Sequence, residues 1–453
     1  MSSLHSSQLL KPDVTLSLNL SSQSNTTSFS PTSSHSHDHN HNHNHLQTTS
    51  SSSSLTKAEA EKGGVVLIQL LFSCAKHAAC GNLRHADSCL SQISELASVD
   101  GDSMQRLAAR FASALALRLV KRWPGLHKAL WPKPQMGRAQ LASVPTFPCL
   151  GIAYSIIART LVHSLSHQDA IHFVDFGSGD LRLWIPILRR LAVLGEPREN
   201  GPLSLNFTFV HRNKAILDKL GLGLAKEAEA LGFSFEYNAL NIPLQELTSE
   251  MIKARPGEAL AIVSILSLHV LLAEDDKVEA QFGGKRNKGI KDCQQMSQFL
   301  TMVKSMSPKV VLLVEQEADH NLNRLVDRFL GSLHYYSALF DSLDATFGSS
   351  SSSSDDQERL ELEEMFGREI ENIVACEGLD RVERHERYEK WVVRLGGAGF
   401  RPSRMWFDPV EDANKMVKVC GSESEGYKVV NNKASFVLCW HDRPLYAVSA
   451  WIS

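Results

Sequence analysis

The sequence contains no C-x-x-C pair and no cysteine–histidine spacing of the kind that ligates zinc, although it carries 8 cysteines and 19 histidines. Most of the cysteines, Cys74, Cys89 and Cys439 among them, fall in apolar helix or strand contexts. That predicts buried reduced thiols and a reducing compartment. An excess of one charge is missing too: 47 Lys and Arg against 50 Asp and Glu leave a net charge of −3. A domain that holds nucleic acid by its own field is usually strongly basic, so unaided high-affinity DNA binding is disfavoured. The N-terminus MSSLHSSQLL has no basic segment leading into an apolar core, and no secretory signal is expected. The most apolar stretch, Leu260 to Ala273, is too short to span a bilayer and carries His269. No membrane partner is expected, and the protein reads as soluble and intracellular.

What is present is a chain of 453 residues, 43% hydrophobic and 21% charged, long enough for a sizeable core. Residues 1–62 are dominated by Ser, Thr, Asn and His. They read as a disordered tail, because such a stretch cannot bury enough surface to offset its ordering entropy. Within it, LSLNL alternates Leu16, Leu18 and Leu20 with small polar residues, and His35, His37, His39, His41, His43 and His45 recur at every second position. The histidine tract lacks ordered supporting partners, so no dedicated metal site is expected. Residues 63–168 show helical periodicity without a strand signal, as in Leu83, Leu90, Ile93 and Ala97, and read as a helical cap. From 169 the pattern alternates short apolar strands with helices, which predicts a doubly wound, mostly parallel α/β sheet. Strand signals fall at YKVVNN, SFVLCW and PLYAVSAW, and the turn residues His441 to Pro444 between the last two predict an antiparallel hairpin at one edge of the sheet.

The first strand ends in AIHFVDFGSGD, where Asp175, Gly177 and Gly179 form an Asp-x-Gly-x-Gly turn leading into a helix. In nucleotide and S-adenosylmethionine sites such a turn lets the backbone approach the ligand. Two expectations of a working site fail here. Leu181 and Arg182 stand where small residues are wanted, and the second strand runs out into His211 and Arg212 with no ribose-binding acid. Asp218 is a poor substitute, and the end of the third strand offers only Asn241. The turn is therefore expected to be structural, with Asp175, Gly177 and Gly179 marking a vestigial pocket, and no cofactor is assigned. No Ser-His-Asp or Cys-His arrangement is legible, so no catalytic residue is assigned.

Several segments together resemble the plant GRAS family of transcriptional regulators. IHFVDF, with His172 and Asp175, looks like the family's VHIID signature. LIQLLFSCAKHAACGNLRHADSCL looks like its first leucine-rich region. CEGLDRVERHERYEKWVVRLGGAGF, with Trp391, resembles the stretch known for PFYRE, and CWHDRPLYAVSAW, with Trp440, Arg443, Pro444 and Trp451, resembles the terminal SAW motif. The wording is most similar to the scarecrow-like subgroup. The resemblance implies a methyltransferase-like Rossmann core beneath a helical cap, with no catalysis. It further implies action in the nucleus, in gibberellin or developmental signalling, as a scaffold for zinc-finger or other DNA-binding transcription factors and DELLA-type GRAS proteins. Contact with DNA would be indirect, and homo- or heterodimers are compatible with the leucine-rich cap. Two competing readings are a small-molecule methyltransferase using the Asp175–Gly179 loop and a direct DNA-binding factor.

Three further motifs carry expectations. Leu67, Leu70 and Leu71 form an LxxLL that either lies in the cap core or, as the resemblance suggests, binds a partner. Leu16, Leu18 and Leu20 can bind in extended form and look like the LxLxL motif that recruits TOPLESS-type corepressors. DRVERHERYEKW reads as a solvated helix anchored by Trp391, with Glu383–Arg387 and Glu386–Lys390 pairs at i,i+4. The loop GGKRNKGIK, with Lys285, Arg286, Lys288 and Lys291, reads as an ordinary solvated basic loop.

Overall fold

The computed structural model describes residues 49–130, 147–194, 201–273, 293–347, 353–409 and 426–453. Leu16, Leu18, Leu20, the histidine tract and the basic loop lie outside these residues. The chain divides into two compact units, Met1–Ser54 and Leu55–Ser453.

Helix α1 runs Thr49–Cys80 and so starts well before the expected onset at residue 63. The segment TKAEAEK, rich in strong helix formers, accounts for the extension over residues 56–62. Lys62–Cys80 is apolar and long enough to cross a membrane by length and composition. Its stripe of Leu67, Leu71, Cys74, Ala75 and Ala78 is instead buried in the larger core. Helices α2 (Leu83–Leu96), α3 (Ser103–Val120), α4 (Pro124–Leu130) and α5 (Pro148–Leu165) follow. Asp102 starts α3 with a full capping box: Gln105 N–H donates to Asp102 Oδ1 at 2.8 Å, and Asp102 N–H donates back to Gln105 Oε1 at 3.1 Å.

Strands β1 (Ala170–Phe176), β2 (Ser204–Val210), β3 (Ser234–Leu240), β4 (Ala259–Ile265) and β5 (Val310–Gln316) pair in parallel. Helices α6 (Leu181–Leu194) and α7 (Lys214–Ala230) follow β1 and β2, α8 (Ser249–Ile252) follows β3, and α9 (Gln294–Ser305) precedes β5. Helices α10 (Leu325–Phe347), α11 (Ser353–Ala375) and α12 (Tyr388–Gly397) then lead to the short β6 (Arg401–Pro402) and to β7 (Tyr427–Asn432), β8 (Ser435–Trp440) and β9 (Arg443–Ile452). The sheet order is β3-β2-β1-β4-β5-β9-β8-β7, with β9 antiparallel to β5. The expected hairpin is β8–β9, and β7 pairs with β8 to extend it to a three-strand antiparallel meander. The topological switch lies between β1 and β4, whose carboxyl ends place the loops after them side by side.

Strand periodicity divides the core in two. Ile171, Phe173, Ala261, Val263, Leu312 and Val314 face the core built with α1–α3, α5–α7, α10 and α11. Val174, Phe176, Leu260, Ile262, Val311 and Leu313 face a second core with α9 and α12. Because both faces are covered, the central strands read as continuous apolar runs.

A sequence expectation is also corrected: residues 381–387 are not helical. Helix α12 starts only at Tyr388, so the Glu383–Arg387 helix pair does not form. The segment is buried and its backbone is satisfied from afar: Val382 and Glu383 N–H donate to Asn372 Oδ1 at 2.8 and 2.9 Å, and His385 C=O accepts from His320 N–H at 3.0 Å. Glu386 binds Arg394 at 2.7 Å and Lys390 binds Asp319 at 2.6 Å. Tertiary partners have overridden helix propensity.

Candidate functional site

The turn after β1 is built around Asp175, which strand alternation turns toward the larger core and which is 1% exposed. Its Oδ1 accepts the Ser178 N–H at 2.8 Å. Its Oδ2 accepts the Ser178 hydroxyl and, at 2.7 Å, the Trp184 indole N–H. Burial outweighs these bonds and holds the carboxyl up at about 6. Gly177 and Gly179 take the left-handed backbone the turn requires, with φ of 91° and 58°. Gly177 is also crowded: a Cβ there would lie 2.2 Å from Ser267 Oγ on the loop after β4.

The next residues close the turn further. Asp180 caps α6, its Oδ1 accepting the Arg182 N–H at 2.9 Å, while its Oδ2 accepts Tyr154 O–H at 3.0 Å. Leu181 packs over α7 so closely that a Cβ on Gly223 would lie 2.6 Å from Leu181 Cδ1. A cofactor loop leaves backbone N–H groups free to face an anion. Here the Ser178 and Arg182 amides are given to neighbouring carboxylates, Ser267 crowds Gly177, and Leu181 packs against Gly223 of α7. At the end of β2, His211 Nδ1 accepts the Asn213 N–H at 3.0 Å, and Asn241 donates to the His211 carbonyl at 3.0 Å. Asp218 lies on an exposed turn of α7, 3.8 Å from Lys214.

A second polar centre, which the sequence reading missed, lies in the other core at the carboxyl ends of β4 and β5. His269, in the turn after β4, is 1% exposed. Its Nδ1 stands 2.7 Å from Glu315 Oε2 and its Nε2 stands 2.8 Å from Glu383 Oε2. Glu383 Oε2 is also 3.2 Å from His385 Nε2. His385 Nδ1 is 3.0 Å from His320 Nδ1. Burial pushes His385 down to about 4 and His320 well below the usual histidine range. Glu369 accepts from Gln316 Nε2 at 2.8 Å and Tyr336 O–H at 2.7 Å, and enclosure of its carboxyl holds it up at about 7. The available signals were a lone histidine in the apolar run LSLHVLL and a glutamate closing the apolar strand VVLLVEQ.

This architecture has a counterpart among solved proteins. SCL7 from Oryza sativa superposes with a TM-score of 0.65 at 28% identity, covering 85% of this chain and 99% of that one. The GRAS domain family profile matches residues 67–452. The chain belongs to the GRAS domain family. Relatives with similar sequences include Scarecrow-like protein 3 of Arabidopsis thaliana, 34% identical over 86% of this chain and 89% of that protein. Another is the DELLA protein RGL1 of Arabidopsis thaliana, 31% identical over 87% of this chain and 71% of that protein. The GRAS family thus includes the DELLA and scarecrow-like plant transcriptional regulators.

The GRAS signature residues are structural supports in this chain. His172 lies in β1 on the face of the second core, its Nε2 2.9 Å from Thr208 Oγ1 and its Nδ1 3.3 Å from Glu258, and burial lowers its pKa. Trp391 and Trp451 are fully buried, donating to the Glu386 carbonyl and to Ser449 Oγ at 3.0 Å each. Trp440 donates to Asp341 Oδ2 at 2.7 Å. Arg443 and Pro444 are exposed at the start of β9, where Arg443 donates to Ser337 Oγ at 2.7 Å. In the GRAS leucine-rich region, Leu67 and Leu71 are buried at 1% and 0% exposure, and Leu70 is half-buried. The partner-binding reading of this LxxLL is corrected for those two residues, since a partner cannot reach side chains already packed in the core. Among the described residues of α1, Val65, Val66 and Ile68 are exposed large apolar side chains.

Proposed function

We propose that the protein is a nuclear, non-enzymatic transcriptional regulator that serves as a protein-interaction scaffold for DNA-binding partners in gibberellin or developmental signalling. The observation that carries this reading is the closed turn after β1, in a chain that belongs to the GRAS domain family. The Asp175 carboxylate is engaged by Ser178 and Trp184, and Ser267 crowds Gly177. A methyltransferase needs the backbone of such a turn open to its ligand. Zinc-finger factors and DELLA-type GRAS proteins fit as partners, with DNA reached through them, and Leu16, Leu18 and Leu20 fit as a docking segment for a TOPLESS-type corepressor.

Two experiments test the reading. Titration calorimetry with S-adenosylmethionine should show no binding heat. Micromolar binding that disappears in Asp175→Ala would establish a cofactor site and overturn it. Co-precipitation from plant nuclear extract should recover DNA-binding proteins with the full chain, and replacing Leu16, Leu18 and Leu20 together by Ala should lose the corepressor alone.

A further inference from the structure

The cluster at the ends of β4 and β5 holds more than a hydrogen-bond network requires. His269 Nε2, Glu383 Oε2 and His385 Nε2 converge, all three donor atoms lying within 4.8 Å of one another in buried residues. Each ring is fixed from behind, His269 by Glu315 Oε2 at 2.7 Å and His385 by His320 Nδ1 at 3.0 Å. A histidine that ligates a metal is typically held this way, by a hydrogen bond at its other nitrogen that sets the tautomer and aims the lone pair.

Protons alone leave the cluster unsatisfied. One proton serves the 2.8 Å contact between His269 Nε2 and Glu383. His385 Nε2, beside the same carboxylate oxygen at 3.2 Å, is buried with no hydrogen-bond partner. If His385 donates from Nδ1 to His320, its Nε2 turns a bare lone pair toward a carboxylate oxygen. In the reverse tautomer its N–H lacks hydrogen-bonding geometry toward Glu383. A divalent cation satisfies both rings and the carboxylate together, and offsets buried negative charge that is otherwise costly. Zinc–nitrogen bonds of about 2.0–2.1 Å put tetrahedral donors roughly 3.3 Å apart. Two of the three separations, 2.8 and 3.2 Å, come close to that, and the third is no more than 4.8 Å.

We propose that His269, Glu383 and His385 form a buried structural centre for a zinc ion, loaded as the chain folds, with Glu315 and His320 as positioning residues.

The test uses the full chain, produced with added zinc and dialysed against EDTA near neutral pH. Dialysis removes weakly held metal, including any taken up by the alternating histidines from His35 to His45. Mass-spectrometric metal analysis should find about one zinc retained per chain, falling about tenfold or more in His269→Gln and His385→Gln. Refolding the unaltered chain with Co²⁺ should give the visible d–d bands of a low-coordinate nitrogen–oxygen site, a readout that stands even if the variants do not fold. Folded protein with neither retained zinc nor cobalt bands would overturn the proposal. Zinc retained equally by the two variants would overturn it as well, by placing the ion elsewhere.

Discussion

The turn after β1 and the cluster at the ends of β4 and β5 both bury carboxylates, but they satisfy them over very different distances along the chain. Asp175 finds Ser178 three residues on and Trp184 nine residues on, so the turn forms its own network locally. His269 meets Glu315 and Glu383 across 46 and 114 residues, and His320 meets His385 across 65. The local network is formed within one turn and the start of one helix. The remote one joins the ends of two strands to a non-helical segment and leaves ring nitrogens without partners. The Gly-Ser-Gly turn, which looks most like an active site in sequence, is thus the more self-contained of the two.

The largest expected effect belongs to the remote cluster. Glu383→Ala strands His269 and His385 in the core, and breaking a buried charged contact from one side costs about 3–5 kcal/mol. Urea unfolding should show that loss, and a change below about 1 kcal/mol would mean that the cluster contributes no more than a surface pair.

Next comes a pH effect in the local network. Burial holds the Asp175 carboxyl at about 6, above its ordinary 3.8, so the folded state binds that proton more tightly than the unfolded chain does. Its stabilising contribution is full below pH 3.8 and is lost as pH rises through about 6, a swing of about 3 kcal/mol. Comparison with Asp175→Asn isolates it: the unaltered chain should gain on the variant by about that much on acidification. Parallel pH profiles would count against a desolvated carboxyl.

Gly177→Ala should cost about 2 kcal/mol or more, from the positive φ and from the clash with Ser267. Adding Ser267→Ala should recover only the part due to the clash, which thermal unfolding of the single and double variants measures. Smallest is Ser178→Ala, which removes one hydroxyl donor from Asp175 and leaves the backbone donor in place. A loss of about 1 kcal/mol is expected, and a loss equal to that of Glu383→Ala would erase the contrast between the two regions.

The alternation of strands and helices from Ala170 to Gln316 was legible because each element there carries its own period or its own turn. The defects of the cofactor turn were legible as well, since Leu181 and the missing acid after β2 are local facts. The stretch from Arg381 to Arg387 was not. Its i,i+4 charges satisfy a helical pattern, and only Asn372, His320 and His269 from other elements draw it into extended form. The depth of Leu67 and Leu71 was likewise open, because LxxLL has the same spacing on a core helix and on a docking helix.

The sequence by itself determined the family signatures, the parallel core with its antiparallel end, and the Gly-Ser-Gly turn after the first strand, because each rests on residues within one element or one turn. Tertiary structure alone decided where the buried charges meet. Contacts across 46 to 114 residues leave no periodicity in the chain, and desolvation acts only once the two cores have closed around them.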